Sequence, residues 1–302
     1  MLFPDREGTF FMENNVELRG LCRRFSGKVA LDGLTFRMDG GVFGLLGGKG
    51  AGKSTLLRIL ATLLPGDGGE ALVCGLPLAR AGAVRAIVGY LPEDFCFYGG
   101  LRAGEAMDYL GALSGLDALT RRARTQQLLE RVGLAGEAEV RARCLDAGAL
   151  RRLGVAQALI HDPRVLLLDE PTDGLAPEER ARLRSLLSET AIDRLVVLAT
   201  QRPDDVEAVC ARVAVLDGGK LRYLGTAREM VARAEGKVFL ADLPEEALPT
   251  LRRRYRVVSV VSHGQRRVAR FLDPEGAPGV GRADRPGIRD AYLLCLNGGA
   301  LA

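Results

Sequence analysis

No apolar run in this chain approaches the ~18 residues that a helix needs to cross a bilayer, so the sequence does not read as spanning a membrane by itself. The first fifteen residues, Met1 to Asn15, lack a basic stretch followed by an apolar core, and a secretory signal is not expected. Close cysteine pairs are also missing. Cys22, Cys74, Cys96, Cys144, Cys210 and Cys295 lie far apart, which argues for reduced thiols in a cytoplasm and against a cysteine metal site. Lysine is scarce: of 42 basic residues only Lys28, Lys49, Lys53, Lys220 and Lys237 are lysines. A net charge of +4 over 302 residues gives no reason to expect nucleic acid as a partner. There is no internal repeat, which argues against a tandem pair of domains.

Two of the five lysines fall within one short segment, Gly47-Gly48-Lys49-Gly50-Ala51-Gly52-Lys53-Ser54-Thr55. Gly47, Gly52, Lys53 and Ser54 match the phosphate-binding pattern G-x-x-x-x-G-K-[ST]. Glycines at these positions let backbone N–H groups turn inward around a triphosphate, where side chains would block the approach. Lys53 then neutralises the β- and γ-phosphates and the Ser54 hydroxyl ligates Mg²⁺. The apolar run Val42 to Leu46 before the loop reads as a buried strand, and Lys53 to Leu64 after it reads as a helix stopped by Pro65-Gly66. A strand, a glycine loop and a helix in that order place the helix N-terminus at the phosphates.

The second strong signal is Val165-Leu-Leu-Leu-Asp169-Glu170-Pro171, some 115 residues downstream. An apolar strand ending in Asp-Glu puts Asp169 where it can hold Mg²⁺ through water or Ser54, and Glu170 within reach of a water attacking the γ-phosphate. Around these motifs the chain alternates strand and helix. Strands are expected at Val16 to Phe25, Leu34 to Met38, Ala71 to Gly75, Ile87 to Tyr90, Leu195 to Ala199 and Val213 to Leu216. Helical texture runs from about Gly100 to Leu159 and recurs at Pro177 to Glu189, Asp204 to Ala211 and Thr226 to Ala234. Beyond a boundary near Gly236, Tyr255 to Val261 and Arg267 to Leu272 alternate like a hairpin closed at His263-Gly264, and Ile288 to Leu296 reads as a short helix. The fold class is α/β.

With both motifs in place, residues 16 to 234 resemble the ATP-binding subunit of ABC transporters. The resemblance implies a P-loop NTPase with a mixed-sheet core. A tail (1–15) precedes a nucleotide-binding domain (16–235) with a helical insertion at about 100–160, and a small α+β extension (236–302) follows. In the family's terms Phe25 falls at the aromatic that stacks on adenine, and Gly89-Tyr-Leu-Pro-Glu93 at the Q-loop. Cys144 to Ala158 is the signature segment, with Asp146 and Gly148 facing the nucleotide of a second subunit, and Pro171 to Pro177 is the D-loop. Gln201 occupies the switch position, and Asp290-Ala-Tyr-Leu resembles the tail of ABC-2-type exporter ATPases. The implied ligands are ATP and Mg²⁺, the latter on Ser54, Asp169 and Glu93. The implied partners are a membrane permease in a separate chain and a second ATP-binding subunit. The implied location is the inner face of the cell membrane.

The departures from the family pattern cluster at the γ-phosphate. Gly48 and Lys49 stand where Pro and Asn are usual, and Lys49 reads as a solvated lysine. The signature reads Leu145-Asp146-Ala147-Gly148-Ala149, with Asp146 in place of a serine donor. Glu93 replaces glutamine, Ala176 replaces the D-loop aspartate, and Gln201 replaces histidine. Lys53, Ser54, Asp169 and Glu170 are kept. The combination implies ATP binding with slowed hydrolysis. Two other readings stand beside it: an ATP-gated module without turnover, and a soluble ABC protein acting on nucleic acid or ribosomes. The latter ranks last because tandem domains and a long coiled-coil insertion are lacking.

Overall fold

A computed structural model describes residues 13–97, 100–264 and 266–296. Most of the expected N-terminal tail (1–12) and the end of the C-terminal extension (297–302) lie outside the described residues.

The organising element is a six-stranded sheet in the order Lys220–Gly225, Arg212–Asp217, Gly41–Leu46, Leu195–Thr200, Val165–Asp169, Val88–Leu91. Its strands run parallel except for the hairpin formed by the first two. Both faces are covered at the centre, so the inner strands are apolar almost continuously; in Val165–Asp169 every residue is buried. The two-residue period still sorts them. Val165 and Leu167 enter one core with Leu45, Val197 and Leu216, while Leu166 and Leu168 enter the opposite core with Val42, Val196 and Leu198.

On the first face lies the helix Lys53–Leu60, burying Leu56, Leu57, Ile59 and Leu60. An antiparallel sheet closes over it, in the order Lys28–Met38, Val16–Phe25, Gly68–Val73, Leu76–Pro77. On the other face pack Ala103–Leu113, Ala118–Arg131, Ala147–Ala158 and Pro177–Thr190. Two of these start on aspartate caps: Asp117 accepts from the Leu119 and Thr120 amides, and Asp146 accepts from the Ala149 amide.

The chain ends in a second antiparallel sheet, ordered Arg256–His263, Arg266–Leu272, Val238–Pro244, Arg282–Ala283, with the final helix Ile288–Leu296 after it. That helix does not stay with its own sheet. Ile288, Ala291, Tyr292 and Cys295 pack with Leu46, Val213 and Val215 of the six-stranded sheet and with Val206 beside it. Among the described residues no helix is long and apolar enough to cross a membrane.

Several elements differ from the sequence expectation. The helix expected over Lys53 to Leu64 stops at Leu60, before Pro65-Gly66 is reached. Thr62 adopts a left-handed conformation (φ 58°), and the Thr62 and Leu63 amides bond back to the Ile59 and Arg58 carbonyls. This is a Schellman end built without glycine. The helix Ala81–Ile87 and the strand Val238–Pro244 have no counterpart in the sequence reading. The former buries only Val84, too little for a period to show.

Candidate functional site

The phosphate-loop pattern spans the turn between Gly41–Leu46 and Lys53–Leu60. Two glycines there are dictated by close backbone approach. A Cβ at Gly47 would stand 2.6 Å from the Leu216 carbonyl oxygen, and one at Gly52, whose φ is 105°, would stand 2.6 Å from the Ala30 carbonyl oxygen. The Gly47 amide donates to the Thr200 carbonyl (3.2 Å), so the loop starts pinned to the end of the neighbouring strand.

Lys53 is almost fully buried. Its Nζ donates to the carbonyls of Gly47 (2.7 Å) and Gly48 (3.3 Å) and pairs with Glu170 Oε1 at 3.3 Å. The ammonium therefore sits on two loop carbonyls with one carboxylate as its charged partner. Glu170 follows Val165–Asp169 in a left-handed conformation (φ 48°), uncommon for a residue with a side chain. Its own amide donates to the Ala199 carbonyl (2.9 Å), and its Oε2 accepts the Gln201 amide at 3.3 Å. Burial pushes the Glu170 carboxyl above its ordinary range, with Lys53 pulling it back.

Asp169 has no accessible surface. Neither of its oxygens has a partner at ordinary hydrogen-bond geometry, although the Ser54 hydroxyl is near enough to favour the charged form. Burial raises its pKa, and the Glu93 carboxylate adds to that. An orphaned buried carboxylate beside a hydroxyl and a second carboxylate is a poor structural feature alone and a suitable donor set for a hard divalent cation. Ser54, Asp169 and Glu93 thus fit Mg²⁺.

An open cleft of about 470 Å³ joins most of these groups; Gly47 and the fully buried Asp169 are not among its lining residues. Phe25, Glu93, Glu170 and Gln201 line it together with the loop from Gly48 through Lys49, Gly50, Ala51, Gly52, Lys53 and Ser54 to Thr55. Phe25 is 40% exposed, and the Arg23 guanidinium lies 4.6 Å from its ring centroid, covering one face. Gln201 is exposed. Asp146 and Gly148 are not among the lining residues. Asp146 is exposed at the start of Ala147–Ala158, with its Oδ1 accepting the Ala149 amide at 2.7 Å. Gly148 is buried against the Glu179 carboxylate.

Sequence reasoning missed two supporting groups. Arg151, on the helix Ala147–Ala158, donates to the Pro92 (3.4 Å) and Glu93 (3.0 Å) carbonyls and so fastens the Glu93 loop to that helix. Asp205, with no accessible surface, accepts from the Thr172 and Thr200 hydroxyls and pairs with Arg184. It ties the turn after Glu170 to the residue before Gln201. Asp205→Ala leaves a half-buried guanidinium and the buried Thr172 hydroxyl without their acceptor. The expected loss is about 3–5 kcal/mol of stability, read as a lower denaturant midpoint at unchanged slope; a shift under ~1 kcal/mol would contradict the assigned role.

Residues 31–173 match the family described as ABC transporter. An uncharacterized ABC transporter ATP-binding protein of Synechocystis is 39% identical over 70% of this chain, a match spanning 60% of that protein. A daunorubicin resistance ATP-binding protein of Streptomyces coeruleorubidus is also 39% identical, over 73% of this chain and 71% of its own length. A Nod factor export ATP-binding protein of Ralstonia nicotianae is 37% identical over 78% and 75%. Among solved structures, cbiO1 of Clostridium perfringens, part of the ABC transporter complex cbiONQ, superposes with a TM-score of 0.66 at 26% identity. It covers 73% of this chain and 91% of its own.

Proposed function

The chain belongs to the ABC transporter ATP-binding family, and from that premise we propose that it is the ATP-binding subunit of an exporter-type transporter, binding MgATP between two such subunits to drive a separate permease. The observation that carries the proposal is the pair of buried carboxylates at the loop: Asp169 with no hydrogen-bond partner, and Glu170 held by the loop lysine. Two relatives named for drug resistance and Nod factor export support the exporter type. The subunit acts at the cytoplasmic face of the membrane on this reading, and residues 16–235 and 236–302 are its nucleotide-binding domain and accessory extension.

The residues then divide the work. Phe25 offers its free face to adenine. The amides of the loop from Gly47 to Thr55 cradle the phosphates. A triphosphate draws the Lys53 ammonium off the Gly47 and Gly48 carbonyls, and in doing so releases Glu170 from its ion pair. Glu170 is then free to take a proton from the water that attacks the γ-phosphorus. Gln201 donates its amide to the transferred group. Mg²⁺, held by Ser54, Asp169 and Glu93, would neutralise charge on the β- and γ-phosphate oxygens. Asp146 and Gly148 face the nucleotide of the second subunit, which accounts for their absence from the cleft of a single chain.

Hydrolysis on this reading is slow. Asp146 already supplies an anion to its helix N-terminus, the place where the opposing nucleotide's phosphate would be received. The same contact favours a second reading, an ATP-gated module that dimerises without turnover. Phosphate release with MgATP distinguishes them. Glu170→Gln is expected to retain nucleotide binding and to lower release by at least about tenfold. A rate indistinguishable from the unsubstituted protein's would leave the module as the surviving reading, and absence of MgATP binding would remove both.

A further inference from the structure

Gly148 sits in the first turn of Ala147–Ala158, where glycine costs about 1 kcal/mol against alanine. Its backbone does not demand glycine, since it is not among the residues with positive φ. The demand comes from a neighbour. A Cβ at Gly148 would stand 2.6 Å from Cδ and from Oε2 of Glu179, and would overlap Oε1. The Glu179 carboxylate therefore occupies space that a glycine alone leaves open.

Glu179 lies in the first turn of Pro177–Thr190, the helix that follows the D-loop. Its Oε2 accepts the Ala176 amide at 3.3 Å. That bond is the returning half of a capping box, and Ala176, with no side-chain oxygen, cannot supply the other half. Glu179 Oε1 is 3.9 Å from the guanidinium of Arg152, four residues beyond Gly148. Arg152 also donates to the Val132 (3.0 Å) and Gly133 (3.1 Å) carbonyls, just past the end of Ala118–Arg131. One carboxylate thus touches the end of the D-loop at Ala176 and the signature turn at Gly148.

We propose that Glu179 is a positioning residue of the dimer face, its carboxylate holding the D-loop end at Ala176 in register with the signature turn at Gly148. The inference rests on the head-to-tail reading, in which the signature turn meets the second subunit's nucleotide and the D-loop makes a cross-dimer contact. The missing Cβ of Gly148 makes room for this tie within the chain. Glu179 is not among the residues lining the cleft. It acts on the approach of the second subunit and not on nucleotide binding by one subunit.

The test is MgATP-dependent dimerisation, followed by sedimentation, in five proteins: unsubstituted, Glu179→Gln, Glu179→Ala, Gly148→Ala, and Gly148→Ala with Glu179→Ala. Glutamine keeps the shape and an acceptor oxygen, and alanine keeps neither. Glu179→Ala is expected to weaken dimerisation about fivefold, the worth of one hydrogen bond, with the MgATP affinity of the single subunit unchanged. Glu179→Gln is expected to dimerise as the unsubstituted protein does. Gly148→Ala displaces the carboxylate and is expected to lose at least as much as Glu179→Ala. The double variant is expected to match Glu179→Ala, because the added Cβ then enters the space the carboxylate has left. Losses that add in the double variant, no loss in Glu179→Ala, or equal behaviour of Glu179→Gln and Glu179→Ala overturns the proposal. Should Gly148→Ala fail to fold, the contrast between glutamine and alanine at Glu179 decides. If the unsubstituted protein does not dimerise with MgATP, the pairing of two copies fails by itself, and hydrogen exchange at the Ala176 amide judges the tie. Faster exchange in Glu179→Ala than in Glu179→Gln supports it, and equal exchange overturns it.

Discussion

Lys53→Ala is expected to weaken MgATP binding by about a hundredfold, close to 3 kcal/mol for loss of charge-assisted bonds to two phosphates. The same substitution also acts on the protein without nucleotide. Glu170, 3% exposed, loses its ammonium partner and is left as a buried carboxylate whose remaining polar contact is the Gln201 amide. Breaking one side of a buried pair costs more than removing both. Lys53→Ala is therefore expected to lower the unfolding midpoint, and Lys53→Ala combined with Glu170→Gln to recover most of that loss. Binding responds differently, because the second change restores no cation at the phosphates. The double variant is expected to bind MgATP as poorly as Lys53→Ala alone. Equilibrium titration and denaturant unfolding on the same three proteins separate the two effects. Binding by Lys53→Ala within about threefold of the unsubstituted protein would remove the loop from the nucleotide site, since one charge-assisted bond is worth more than that.

The contrast between those two effects marks what the sequence could and could not reveal. The glycine spacing announces the loop because strand, turn and helix occupy consecutive residues, although the neighbours that demand Gly47 and Gly52, the Leu216 and Ala30 carbonyls, lie far away in sequence. Val165–Asp169 was readable for the same reason, a wholly apolar strand ended by two acids. The Lys53–Glu170 pair joins these two legible segments, yet its geometry depends on sheet order and on the left-handed turn at Glu170, which has no local signature. Asp204 and Asp205 show the limit more sharply. They are neighbours of the same type on one short helix, but a step of one residue turns the side chain through about 100°. Asp204 meets solvent and Arg289, while Asp205 is fully buried on Thr172 and Arg184. Only the tertiary surroundings separate them. Tyr292 beside Leu46 is the extreme case, a packing contact between the final helix and the residue before the first motif, with no periodicity to foretell it. The early end of Lys53–Leu60 escaped notice for a chemical reason: a threonine occupies the left-handed position where glycine is the usual sign.

Asp146→Ser is expected to raise phosphate release in MgATP by about tenfold to a hundredfold, at or below the bottom of the roughly hundredfold to thousandfold range for one transition-state donor. On the head-to-tail reading, the Ala147–Ala158 helix aims its N-terminus at the γ-phosphate of the other subunit's nucleotide. Asp146 places a carboxylate there that accepts the Ala149 amide at 2.7 Å and is exposed to whatever docks against it. It therefore repels the incoming polyanion and consumes one of the amides the helix end has to offer. Serine caps helices about as well as aspartate, so the fold should be retained while the charge is replaced by a donor. Asp146→Asn separates the two contributions, because it removes the charge and keeps a capping oxygen. A gain in Asp146→Asn approaching that of serine assigns the block to repulsion, and a gain confined to serine assigns it to the missing hydroxyl. The gain stays below the full range because Ala176 and Gln201 remain as they are. Adding Glu170→Gln to Asp146→Ser should return release to background, which ties the recovered rate to the same cleft. If the second subunit is a different chain, the recovered turnover belongs to that chain's nucleotide, and Glu170→Gln here leaves it untouched. Asp146→Ser proteins that dimerise with MgATP yet release phosphate no faster would place the slow step elsewhere, at Gln201 or Ala176.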